Sequence, residues 1–129
     1  MEERRTFIDT RLEQKIGFDR IRQIISDRCS TLYAAERTAT ETFSTKDGQI
    51  RKRLLLTDEM RLIMMFEDGF PSGGFIDCID FLRPLENPSS AIDLVSLRKL
   101  RTMLDTLRKV TNFFENIKDG VYPNLKRMS

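Results

Sequence analysis

Histidine and tryptophan are absent from the 129 residues, and cysteine occurs only twice. Without histidine, the chain lacks the imidazole base of Ser-His and Cys-His nucleophile pairs and an imidazole metal ligand. Cys29 and Cys78 are too far apart in sequence for the paired spacing of a zinc site, and two cysteines do not build a disulfide framework. These absences exclude many classes of enzyme and favour a reducing, cytoplasmic location.

Turn-forming residues are also scarce, with six glycines and four prolines. Because turns are few, an all-β fold is disfavoured and an all-α fold is expected. The longest apolar run, residues 62–66, is far shorter than the roughly 18 residues that cross a bilayer. We therefore expect no membrane partner. The amino terminus is charged and is not followed by an apolar run, so it does not resemble a secretory signal.

One segment, residues 93–118, has the pattern of a single long amphipathic helix. At 1.5 Å per residue it would run roughly 39 Å, whereas a compact domain of about 100 residues has a radius of gyration of about 13 Å. Its apolar side is formed by residues three and four apart: Leu97, Leu100, Leu104, Leu107, Thr111, Phe114 and Ile117. We therefore expect part of this stripe to need a partner, either further chain or a second copy.

The remaining pattern predicts one helical domain over residues 1–129, with an extended or frayed lead-in at 1–16 and a helical body at 17–129. A helical hairpin begins at Phe18, and a second long helix runs from residue 47 to about residue 66, antiparallel to the last one. Short helical turns follow at 77–82 and from residue 124. Side chains that can cap these helices are Asp19, Ser30 and Asp47, and the last long helix begins at Asp93 or just before it.

The loop at residues 69–74 has the glycine spacing of half a phosphate-binding loop. Phe75 and Ile76 stand where such a loop needs a lysine for the phosphates and a hydroxyl for magnesium. Asp77 and Asp80 could share a helical face, but two carboxylates do not make a cation cage. We interpret the segment as a helix-terminating loop, and expect no catalytic, cofactor-binding or metal-binding residue in this chain.

Positive charge is concentrated in the last third of the chain. Residues 93–129 carry eight positive and four negative side chains, whereas the whole chain has a net charge of +2. A cationic helix face can bind nucleic-acid phosphates, and it can equally be a solvated surface with ion pairs to Asp105. The candidate nucleic-acid-binding residues are Arg98, Lys99, Arg101, Arg108 and Lys109.

Several short motifs resemble the amino-terminal region of the second bacterial branch of the MutS family. Residues 12–25 and the following Cys29-Ser-Thr-Leu and Ala35-Glu-Arg are similar to that branch's opening "L-E-F-D-K-I-L-x-x-L" and "S-x-L-G-x-E" helices. Further similar steps are Ser44-Thr-Lys-Asp, Phe70-Pro, Phe75-Ile-Asp77 and the ending Tyr122-Pro-Asn-Leu125. The resemblance covers nearly the whole chain from about residue 12.

The resemblance implies that this is a noncatalytic part of a MutS-like core or lever domain in a larger mismatch-repair-related ATPase. The full-length protein would use ATP and magnesium, and some members add a nuclease domain. Expected partners are DNA, branched DNA included, the rest of the same chain and a second copy in a homodimer, with the ribosome as another family target. The role would be mechanical, linking DNA-holding parts to the ATPase, with suppression of recombination as one outcome.

Two other readings explain the same residues. The chain can be a freestanding helical adaptor that binds a protein partner through its long apolar helix face. It can also be an autonomous DNA binder that uses its basic end. If the reading frame continues into an ATPase motif, the MutS-like fragment is favoured over the freestanding adaptor.

Overall fold

The computed structural model describes residues 11–42 and 44–129, and every regular element in these ranges is helical. The predicted all-α class is therefore confirmed. Residues 11–16 are helical and end at Gly17. The helices that follow are α1 (Phe18–Asp27), α2 (Leu32–Ala39), α3 (Asp47–Phe66), α4 (Ile79–Leu82) with a 3-10 turn (Arg83–Glu86), α5 (Leu94–Asn116) and α6 (Pro123–Met128).

The chain forms two compact units, one within residues 1–43 and one within residues 44–129. The single domain expected from the sequence stays a prediction. Most of the predicted lead-in, residues 1–10, lies outside the described residues. Residues 11–16 are helical, and Gly17, with a φ of 77°, separates them from α1.

In the first unit, α1 and α2 form the predicted helical hairpin. The cap of α2 is Thr31, whose side chain accepts a hydrogen bond from the Ala34 amide at 3.1 Å, and not Ser30 as predicted. The start of α1 likewise has Gly17 at its cap position, and Asp19 lies in the first turn without capping it. Ser30 and Thr31 both carry a hydroxyl group, so the sequence alone does not decide which of the two caps α2.

A buried ion pair also belongs to this unit. Glu13, only 6% exposed, accepts a hydrogen bond from Arg22 at 2.8 Å, and the Arg22 guanidinium lies 4.9 Å from the centre of the Phe18 ring. The pair holds the helical residues 11–16 against α1. Three isoleucines of α1 are about half exposed: Ile21, Ile24 and Ile25.

The second unit has an aromatic core. Its buried members are Ile63 of α3, Phe113 and Phe114 of α5, and Tyr122 before α6. Phe70 packs edge-on against Phe113 with the ring centres 5.3 Å apart. Phe70 and Tyr122 therefore both take part in the packing between the helices of this unit.

Both long helices contribute residues from their carboxyl-terminal parts to this core. Leu54 of α3 and Leu97 of α5, near the opposite ends, are 64% and 47% exposed. The antiparallel packing along their lengths that the sequence suggests is therefore not observed. The core residues of both helices, Ile63 of α3 and Phe113 and Phe114 of α5, lie near the carboxyl ends.

Helix α6 is fixed to α3 by the buried side chain of Glu59. Its two carboxylate oxygens accept hydrogen bonds from the Leu125 amide at 2.7 Å, and from the Asn124 amide and side chain at 3.0 and 2.8 Å. Burial alone would raise the pKa of Glu59, but these hydrogen bonds outweigh it, and the pKa lies below its ordinary value. Glu59 thus satisfies amides that the start of a helix leaves unpaired.

The two long helices begin differently. Asp93, about where the long helix was predicted to begin, caps α5, since its side chain accepts from the Ser96 amide at 2.8 Å. Asp47 does not cap α3, because Lys46 occupies the cap position and Asp47 pairs with Arg51 at 3.2 Å. None of the helices in the described ranges is long and apolar enough to span a membrane.

Candidate functional site on the long helix

Helix α5 is continuous for 23 residues, from Leu94 to Asn116. The predicted long helix is therefore confirmed within a few residues at each end. No proline or glycine occurs inside it, and Asp93 satisfies its first amides. This continuity lets one element both build the core and carry a second apolar surface.

That second surface is the open stripe, defined as Leu97, Leu100, Leu104 and Leu107. Leu97 is 47% exposed, Leu104 is 56% exposed and Leu107 is 44% exposed, while Leu100 is half-buried. The four residues are spaced by three, four and three, so they share one side of the helix. The predicted apolar stripe is thus real as a pattern, but within residues 44–129 its amino-terminal part is left exposed.

A different side of α5 packs into the protein. Its buried residues are Thr106, Phe113 and Phe114, and the half-buried residues next to them are Met103, Val110 and Ile117. Met103 follows Leu100 by three positions and is therefore rotated from it by about 60°. The packed side and the open stripe lie next to each other around the helix.

The loop after α3 covers the packed side. The Thr106 hydroxyl donates toward the Gly74 carbonyl at 2.8 Å and the Thr102 carbonyl at 3.0 Å, and the Ile76 amide donates to the Met103 sulfur at 3.3 Å. Gly74 has a φ of +85°, and a Cβ there would lie 2.5 Å from the Thr106 hydroxyl oxygen. Helix α3 stops at Phe66 because Glu67 is extended, so the glycine-rich segment follows the end of the helix and does not form its cap as predicted. The segment lies closely against α5, which the sequence did not indicate.

Arginine side chains border the open stripe on the side away from this loop. The surface depression here is lined by Leu97, Leu100 and Leu104 of the stripe and by Leu94, Arg98, Arg101, Thr102, Asp105 and Arg108. Arg101 and Arg108 each follow a stripe leucine by one residue, so they project from one edge of the stripe. The site is therefore an apolar strip with a cationic edge.

The five predicted cations separate into two groups. Arg108 and Lys109 pair with Asp105 at 2.8 and 3.3 Å. The pKa of Asp105 is held below its ordinary value, chiefly by Lys109 and then by Arg108. Two of the five therefore have their charge compensated on their own helix.

The other three, Arg98, Lys99 and Arg101, are exposed. No carboxylate of residues 11–42 or 44–129 lies within ion-pair distance of them. Among the described residues, their charge is therefore not compensated by an ion pair.

Reactive groups are few in the part of the chain that the structure describes. No cluster of three or more acidic or cysteine side chains in it is arranged to hold a metal ion. The pKa of the buried Cys78 thiol is raised by burial, and then by Asp77, which disfavours the reactive thiolate. The geometry offers surfaces for binding.

No family model, no curated protein and no solved structure matches this chain. The likeness to the MutS branch therefore stays a prediction carried by the quoted motifs alone.

Proposed function

We propose that this chain is a noncatalytic helical docking module that binds a protein partner along the open stripe of α5. The observation that carries the proposal is the exposure of Leu97, Leu104 and Leu107 on one side of an uninterrupted helix. Single exposed leucines are ordinary on protein surfaces, whereas contiguous apolar patches mark interaction sites.

The energy available from covering the stripe supports binding. Fully burying one leucine contributes about 1.5–3 kcal/mol, so covering the three that are about half exposed would contribute about 2–5 kcal/mol before the cost of association. That amount is enough to anchor a small interface and too small for a permanent one. We expect a reversible complex.

Site-specific photocrosslinking in cells tests this function. A photoreactive amino acid at position 104 should yield a discrete adduct, and one at Lys52, exposed on α3, should not. The adduct should disappear when Leu100→Ser and Leu107→Ser are added to the chain, with helix content unchanged by circular dichroism. Identical adducts from both positions, or an adduct that survives the serine substitutions, would contradict the proposal.

A second candidate function is the one that the MutS resemblance implies, a segment that links DNA-holding parts to an ATPase. The observation that favours it is the exposure of Arg98, Lys99 and Arg101 without acidic partners among the described residues. In that case the open stripe would receive later helices of the same longer chain, and ATP and magnesium would bind outside these residues.

Titration with duplex and branched DNA at several salt concentrations tests this second function. Each cation that neutralises a phosphate adds to a salt-sensitive affinity, so reversing Arg98, Arg101 and Arg108 to glutamate should weaken binding and flatten its salt dependence. Lys52→Glu is the control. Binding that is unchanged by the triple reversal would remove this candidate.

A further inference from the structure

We infer that the partner which docks on the open stripe is an amphipathic helix with acidic residues beside its apolar positions. This inference rests on the proposed docking function and adds the chemistry of the partner. It follows from how the leucines and the arginines are placed relative to one another on α5.

The stripe has the spacing of a coiled-coil seam. Leu97 and Leu104 occupy one heptad position and Leu100 and Leu107 the other, which is the pattern that receives leucines or isoleucines from a partner helix. The length of the stripe corresponds to about two heptads, so a helix of roughly 14 residues, about 21 Å long, would cover it.

The edge of this seam carries one arginine in each heptad, and within the residues that the structure describes the charge of Arg101 is not shared with an acid as that of Arg108 is with Asp105. Arg101 and Arg108 are seven residues apart and each lies directly after a stripe leucine, at the position that pairs with flanking residues of a partner helix. Arg101 has no carboxylate within ion-pair distance in the described ranges, and Asp105 is already engaged by Arg108 and Lys109. Glutamate or aspartate on the partner would complement this edge.

A second copy of this chain fits the edge less well. In an antiparallel pair of α5 helices, Arg101 would face its own symmetry mate. In a parallel pair, the flanking positions opposite Arg101 and Arg108 are Ser96 and Met103. Neither arrangement gives the arginines an acid, so charge complementarity favours a different helix.

Phosphate surfaces also fit less well. A nucleic-acid backbone would neutralise the arginines but leave the four leucines in water, whereas an acidic amphipathic helix covers both. An anionic membrane could cover both, yet the stripe has leucines only and lacks the aromatic residues that anchor many interfacial helices. We therefore commit to a protein helix, and treat the others as outcomes of the test.

The test uses the full chain and three side-chain-stapled synthetic helices of the same length and the same leucine seam. Their flanking positions carry glutamate, glutamine or lysine. By fluorescence polarisation at low salt, the glutamate helix should bind at least about tenfold more tightly than the lysine helix, and the difference should shrink at high salt. Arg101→Glu should reverse the preference, while Lys52→Glu should leave it unchanged.

The outcomes separate this inference from the docking function. If Leu100→Ser with Leu104→Ser abolishes binding of all three helices, but the glutamate and lysine helices bind equally, the acidic partner is overturned and docking stands. If the serine substitutions change nothing, the docking function fails as well. Tighter binding of duplex DNA, of phosphatidylserine-containing vesicles or of a second copy, at the same stripe, would overturn the acidic helix.

Discussion

The Glu59 carboxylate accepts a hydrogen bond from the amide of Leu125, 66 residues further along the chain, at 2.7 Å. The same carboxylate also accepts a hydrogen bond from the amide of Asn124, so a side chain of α3 caps the amino end of α6. Tyr122, just before α6, donates to Glu67 at 3.0 Å and adds a second link to the end of α3. These bonds fix the end of the chain beside the aromatic core.

Replacing Glu59 with glutamine should lower the free energy of unfolding by about 1–3 kcal/mol, because an amide group would then face a buried backbone N–H without accepting from it. Urea denaturation followed by circular dichroism measures the change. Glu86→Gln, at an exposed position, is the matched control and should stay within about 0.5 kcal/mol of the original protein. Equal losses in the two variants would show that the cap contributes nothing specific.

Stability should fall in acid partly through the same residue. The pKa of Glu59 is lower in the folded chain than its ordinary value of 4.5, so its contribution is present above that value and is lost as the pH falls through the folded pKa. Denaturation curves at a series of pH values should therefore show a smaller decline for Glu59→Gln than for the original protein. Parallel declines would contradict the assigned shift.

Gly74→Ala should destabilise the second unit. Its Cβ would lie 2.5 Å from the Thr106 hydroxyl oxygen and would also require a positive φ, so we expect a loss of about 1–3 kcal/mol in thermal or urea unfolding. Gly73→Ala is the control, because its Cβ would meet nothing within 4 Å. A Gly74→Ala chain as stable as Gly73→Ala would mean that the loop does not lie against α5 as described.

The open stripe should bind an apolar dye and promote self-association of the isolated chain. Leu97→Ser with Leu104→Ser should reduce dye fluorescence and light scattering while changing stability little, because both side chains are about half exposed. Leu54→Ser, at an exposed position on α3, should have the smaller effect. A strictly monomeric original chain that binds no dye would contradict this expectation.

The sequence predicted the existence and extent of α3 and α5 because long periodic segments without proline, and without glycine beyond the first turn, have few alternatives. It did not predict which side of α5 is buried. Phe113 and Phe114 are adjacent and equally apolar, and only the position of Phe70 and Ile63 in the folded chain brings both into the core. Periodicity alone assigned Phe114 and missed Phe113.

The burial of Thr106 on the packed side of α5 could not be predicted from the sequence for a related reason. Thr106 has no apolar signature, and its burial depends on the approach of Gly74 from 32 residues away. Contacts of that kind are set by the path of a loop, which local propensity does not determine. The cationic residues of α5 could be recognised from the sequence. Which of them pair with Asp105, namely Arg108 and Lys109, is known only from the structure.

The most direct test of the docking surface is leucine-methyl NMR of the full chain with a soluble paramagnetic agent. In the chain alone, the methyl signals of Leu97, Leu104 and Leu107 should broaden strongly, and saturation with the glutamate-flanked helix should protect them while Leu54 stays broadened. Stripe methyls that are already protected in the isolated chain, or that stay equally exposed at saturation, would contradict the account.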